Sequence, residues 1–175
     1  MSIYQGCCMY IVQIGMLNQE KHLFQVSFYR KDEDLNDAMI QKIILGIYTI
    51  VPEIFKDQVL QRLNVAKYTI MFQGFDLTRD AVEIDKKGLV DINNLVLAYA
   101  IVDLESEKLD KTSSKTIQMK LKNISLEFKK NFQENLPAVD AEALESFKER
   151  VYEIFKDMLL KTTDRFDSMW AKNSR

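Results

Sequence analysis

Thiols and imidazoles, the side chains readiest to serve as metal ligands or as reactive groups near neutral pH, are few in this chain. Two adjacent cysteines, Cys7 and Cys8, and one histidine, His22, are all it has of those types. A zinc site needs about four clustered ligands, and Cys7, Cys8 and His22 have no such spacing. A His-dependent triad needs its imidazole beside a nucleophile and an orienting acid. His22 instead lies in the polar stretch LNQEKH, which reads as an exposed turn. Carboxylates at 76, 80, 83 and 85 crowd DLTRDAVEID, but the pattern is not that of a calcium loop. A solvated loop and strand edge is the expected reading. The chain contains neither GxxxxGK[ST] nor a strand-linked GxGxxG, the two phosphate-cradling signatures. No catalytic, cofactor-binding or metal-ligating residue is therefore expected, and an interaction module is favoured over an enzyme.

The cysteine pair admits four readings. Ligand count weakens metal binding. A vicinal disulfide is strained and out of place in a reducing compartment. Acylation of Cys7 or Cys8 is chemically open, although the chain begins Met-Ser rather than with the Met-Gly of a myristoylation signal. The favoured reading is two reduced cysteines leading into a buried strand, since free cysteine packs as a small apolar residue.

Composition sets the wider frame. The chain has 175 residues, of which 47% are hydrophobic and 29% charged, with five Gly and two Pro. That describes a single globular domain over 1–175, built from long regular elements. A net charge of −2 gives no electrostatic footprint for nucleic acid. The longest apolar run, IILGIYTIV, stops at Pro52, well short of the roughly 20 residues a transmembrane span requires. With no secretory leader pattern at the start, a cytoplasmic location is expected, with peripheral membrane contact open.

The elements follow from periodicity. After a lead-in over 1–8, MYIVQIG (9–15) and LFQVSFYR (23–30) read as a β-hairpin. Aspartates 32, 34 and 37 then open a helix in which Leu35, Met39, Ile43 and Ile47 recur every four residues. Pro52 ends or kinks it. NVAKYTIMFQGFD (64–76) reads as one strand, Ala81–Ile84 as a short one, and LVLAYAIVD (95–103) as a strand buried on both faces. From about Ser113 to the end of the chain a helical pair follows. Its first stripe is Ile117, Leu121, Ile124, Phe128 and Phe132. Its second is Leu144, Phe147, Val151, Ile154 and Met158, with Asp140 as N-cap. The expected fold is α/β (α+β): a five-stranded antiparallel sheet with helices on both faces, in the order β-β-α-β-β-β-α-α.

Two faces stand out as binding surfaces. On a wheel of residues 34–51, Leu45 and Tyr48 fall within a polar arc of Asp34, Asp37, Gln41, Lys42 and Thr49. On the later helix, Lys115, Lys122, Lys129 and Lys130 lie opposite the apolar stripe, with Met119 and Leu126 among them. That face suits an acidic partner or an anionic membrane, although a solvated face or cover by the last helix would explain it as well.

This element order resembles the longin, or SNARE-like, superfamily, which is related to roadblock domains. The resemblance is carried by MYIVQIGMLNQEKHLFQVSFYR opening the sheet with two strands, and by LVLAYAIVD running into a helix with Ile124, Phe128 and Phe132. Roadblock domains usually begin with a helix. The resemblance implies a non-enzymatic scaffold of membrane traffic or small-GTPase regulation, whose partner is a small GTPase or a trafficking-complex subunit. It further implies that the first long helix and a neighbouring edge strand form the partner or dimer surface. Here those are residues 34–51 and strand 65–73, placing Leu45, Tyr48, Lys67, Thr69 and Met71 on that surface. No SNARE heptad segment and no prenylation cysteine follow the domain, which speaks against a self-contained SNARE. The alternatives are a roadblock-like homodimer, a peripheral membrane adaptor, and an enzyme whose site forms only in an oligomer.

Overall fold

LVLAYAIVD sits at the centre of the structure, a computed structural model that describes residues 10–18, 21–28, 42, 43, 46, 62–65, 68–77, 94–103, 109–132 and 140–159. Every residue of this strand is buried. A strand sends alternate side chains to opposite faces, so continuous burial requires cover on both. Val96, Ala98, Ala100 and Val102 join one core cluster, and Leu95, Leu97, Tyr99 and Ile101 the other.

Five strands form the antiparallel sheet: β1 (Tyr10–Asn18), β2 (Lys21–Ser27), β3 (Arg62–Val65), β4 (Tyr68–Asp76) and β5 (Leu95–Asp103). Their spatial order is β2-β1-β5-β4-β3. The central pairings, β1 with β5 and β5 with β4, are the longest in register, and β2 and β3 lie outermost among the described residues. The β1–β5 register shifts between Ile11 and Gln13, leaving Val12 as an extra residue. Such a bulge resets the side-chain alternation. It explains how Ile11 and Ile14, three positions apart, reach the same core, while Gln13 turns to the other face.

Residues 64–76 do not form the single strand expected from their apolarity. They divide into β3 and β4, which pair antiparallel from Val65 opposite Tyr68, with only Ala66 and Lys67 between them in sequence. Two-residue hairpin connections usually advertise themselves with Asn-Gly, Asp-Gly or Gly-Gly, and none occurs here. The expected strand at 81–84 and cysteines 7 and 8 lie outside the described residues. Of the expected helix over 34–51, Lys42, Ile43 and Gly46 are described and helical. Ile43 packs against the Tyr99 side of the sheet.

Two helices cover the other side. Helix α1 (Lys111–Phe132) lies over β4 and β5, and α2 (Ala141–Leu159) over β1 and β2. Asp110 caps α1: Ser113 donates its backbone N–H to Oδ1 at 2.9 Å and its hydroxyl to Oδ2 at 2.6 Å. These bonds favour the carboxylate and hold Asp110 below the usual range for an aspartate. Asp140 caps α2 as expected, accepting from the Glu142 backbone N–H at 3.4 Å. The apolar stripe of α1 is buried at all five expected positions. The stripe of α2 is rotated slightly from expectation. Phe147, Val151, Phe155 and Met158 are buried, while Leu144 and Ile154 are only partly so.

Candidate interaction surface

The rotation of α1 about its own axis decides which side chains it shows. Side-chain contacts on both flanks fix that rotation. Toward the sheet, Gln118 donates its Nε2 to the Phe72 carbonyl at 2.8 Å and to Gln73 Oε1 at 3.0 Å. One helical turn short of the C-terminus, Lys129 donates to the Asp76 carbonyl at 3.2 Å. Toward α2, Lys120 donates to the Ile154 carbonyl and to Asp157 Oδ1 at 2.7 Å. Arg150 of α2 grips Glu127 with two parallel bonds of 3.1 Å each. Exposed ion pairs of this kind add little to stability. Their value here is geometric, because a two-pronged guanidinium contact tolerates little twist.

With both flanks engaged and the apolar stripe buried, the remaining face of α1 points to solvent. It carries Lys115, Met119, Lys122, Leu126 and Lys130. Met119 is 58% exposed and Leu126 45%, so α2 does not cover them. No carboxylate among the described residues pairs with Lys115, Lys122 or Lys130. Lys129 departs from the expected set: it is half-buried and tied to the end of β4. The outward side of α2 is more acidic: Glu142, Glu145, Glu149 and Glu153 are exposed along it, with Lys148 and Lys156 paired to the second and fourth.

The surface expected around the first long helix fares differently. Leu45, Tyr48 and Lys67 lie outside the described residues. Thr69 and Met71 belong to β4, which is an interior strand paired on both sides, not an edge. Both are buried. Thr69 donates to Asn64 Oδ1 at 3.0 Å, and the Met71 sulfur lies 4.0 Å from the Ser114 hydroxyl beneath α1. Their side chains are spent inside the fold, and the outer position expected of their strand is taken by β3.

The opposite sheet face holds polar groups whose burial the sequence does not announce. Gln13 donates its Nε2 to the Tyr99 hydroxyl at 2.6 Å, both residues being buried. His22 is in β2, not in a turn, and its ring meets Tyr99 edge-on at 6.3 Å. Its Nδ1 is enclosed without a hydrogen-bond partner. Burial therefore holds the imidazole below its ordinary value, favouring the neutral ring. As pH falls through about 6.5, the unfolded chain binds the proton before the folded one does. Stability contributed by neutral His22 is complete above that value and is lost below it. Because His22 is the chain's one histidine, the urea midpoint should drop between about pH 7.5 and about pH 5.5. In His22→Gln that drop should shrink. An equal drop in the variant would show that another group titrates. The acidic segment also changes in meaning, since Asp76 is the buried last residue of β4 and not part of a solvated loop.

Among the described residues no group of three or more His, Cys, Asp or Glu side chains is placed to hold a metal ion, and no helix is long and apolar enough to cross a membrane. No protein-family model matches the chain, and no curated protein matches it.

Proposed function

We propose that this chain is a non-enzymatic protein-interaction scaffold of the membrane-traffic or small-GTPase-regulation type, built on a longin-like domain. One observation carries most of the weight. A β1–β2 hairpin opens the five-stranded antiparallel sheet, three further strands complete it, and two helices follow β5 onto one face. This order of described elements supports the longin-like reading. The division of residues 62–76 into β3 and β4 adds to that support, because it supplies a hairpin before β5 within the described residues. The scaffold works by presenting surfaces fixed by the fold, and the outward face of α1 is one of them.

The test is capture of purified small GTPases, loaded with GDP or with a non-hydrolysable GTP analogue, on the immobilised protein. Preference for one nucleotide state is the expected result. A panel that binds equally in both states, or not at all, would remove the GTPase reading.

A further inference from the structure

We infer that the outward face of α1 is a docking strip for an acidic amphipathic segment of another protein. The inference rests on the scaffold reading above and adds to it the chemistry of one partner. Three observations define the strip. Met119 and Leu126 are exposed on one line of the helix, two turns and thus about 10 Å apart along the axis. Lys115, Lys122 and Lys130 flank that line, and no described carboxylate neutralises them. The other charges of the helix pair are largely matched: Lys120 with Asp157, Arg150 with Glu127, Lys148 with Glu145, and Lys156 with Glu153. Among the described residues the unmatched lysines of the pair thus lie along α1, most of them beside its exposed apolar side chains.

Charge and shape then select the occupant. A flat anionic bilayer resting on the helix layer meets α1 and α2 together. On the α2 side of that contact Glu142 and Glu149, which pair with no base among the described residues, repel such a surface. A single peptide segment is narrow enough to follow α1 alone. It would set two apolar side chains against Met119 and Leu126, and carboxylates against the flanking lysines. Complementary charge of this kind governs encounter and register more than total affinity, while the apolar contacts hold the complex.

The test is selection from a displayed library of random peptides of about 15 residues, long enough for about 22 Å of helix, against the full chain. Two variants serve as counter-targets: Lys115→Glu/Lys122→Glu/Lys130→Glu, and Met119→Ser/Leu126→Ser. All five positions are exposed, so neither variant removes core packing, and an unchanged far-UV spectrum checks this. The expected winners are acidic with apolar residues at helical spacing. Their affinity falls at least tenfold on the charge-reversed variant and on the serine variant, and it weakens with added salt. Winners that are neutral or basic, or that bind both variants as well as the parent, overturn the inference. So does sedimentation with phosphatidylserine vesicles that depends on these lysines, which would make the strip a membrane contact. Concentration-dependent dimerisation abolished by the same variants would overturn it too, assigning the strip to a second copy. Failure here leaves nucleotide-dependent GTPase capture untouched, and the reverse holds as well, so the two readings fall separately.

Discussion

Phe128→Ala should destabilise the fold by about 3–5 kcal/mol. Phe128 is fully buried, and four other phenylalanine rings surround it. Ring centroids lie at 4.8 Å for Phe132, 5.4 Å for Phe147, 6.2 Å for Phe24 and 6.5 Å for Phe75. These neighbours come from α1, α2, β2 and β4, so the cavity opens where both helices meet the sheet. Rings held on separate elements cannot all collapse inward, and partial collapse leaves the cavity penalty largely intact. Domains of this size are stable by roughly 5–15 kcal/mol, so the loss takes a large share of the total. The measurement is equilibrium urea unfolding followed by far-UV circular dichroism. Tyr152→Ala is the control, because that ring is half-exposed and, among the described rings, meets Phe28 alone at 6.0 Å. It should cost less than about 1 kcal/mol. Equal costs for the two variants would show that the aromatic cluster is not the centre of stability.

The contrast between those two rings was partly legible in the sequence. Helical periodicity placed Phe128 inward and Met119 outward, because a long, regular amphipathic helix needs nothing beyond its own spacing to be oriented. The same logic located β5, whose unbroken apolarity requires cover on both faces. It failed wherever the answer depended on a second element. Ala66 and Lys67 carry no turn chemistry, so the sequence does not announce the β3–β4 hairpin, and Thr69 and Met71 read as edge residues. Lys129 belongs to the basic set by helix phase, yet it is drawn to the Asp76 carbonyl by the way α1 crosses the end of β4. Phe155 and Ile154 are neighbours with nearly equal claims to the core of α2, and only the angle of that helix on β1 and β2 decides between them. His22 looked solvated because its flanks are polar, but the bulged β1–β2 register brings it beside Tyr99.

Gly15→Ala makes the dependence on register measurable. In an ordinary strand this change stabilises, by about 0.4–1 kcal/mol, because alanine has less freedom to lose on folding. Here the opposite sign is expected. Gly15 lies directly opposite Tyr99 across the β1–β5 ladder, and the tyrosine ring lies over the position a Cβ would take. An added Cβ would stand 2.5 Å from the Tyr99 hydroxyl oxygen, 2.6 Å from Cζ and 2.8 Å from Cε1. Two ring carbons and the hydroxyl oxygen at such distances cannot be relieved by a small rotation. The ring is itself confined, being fully buried, bonded through its hydroxyl to Gln13 and flanked by His22. Overpacking of this kind costs about 1–3 kcal/mol. If the ring is displaced, Gln13 loses its acceptor, and an unpaired buried amide adds about 1–3 kcal/mol. The cause is isolated by a double-mutant cycle with Tyr99→Leu, a side chain without the Cζ and hydroxyl that crowd the site. Tyr99→Leu alone should destabilise by leaving a void and an unpaired Gln13. In its presence Gly15→Ala should become nearly neutral, giving a coupling of the same size as the original loss. Additive costs would mean that Gly15 is required for some reason other than the ring across from it.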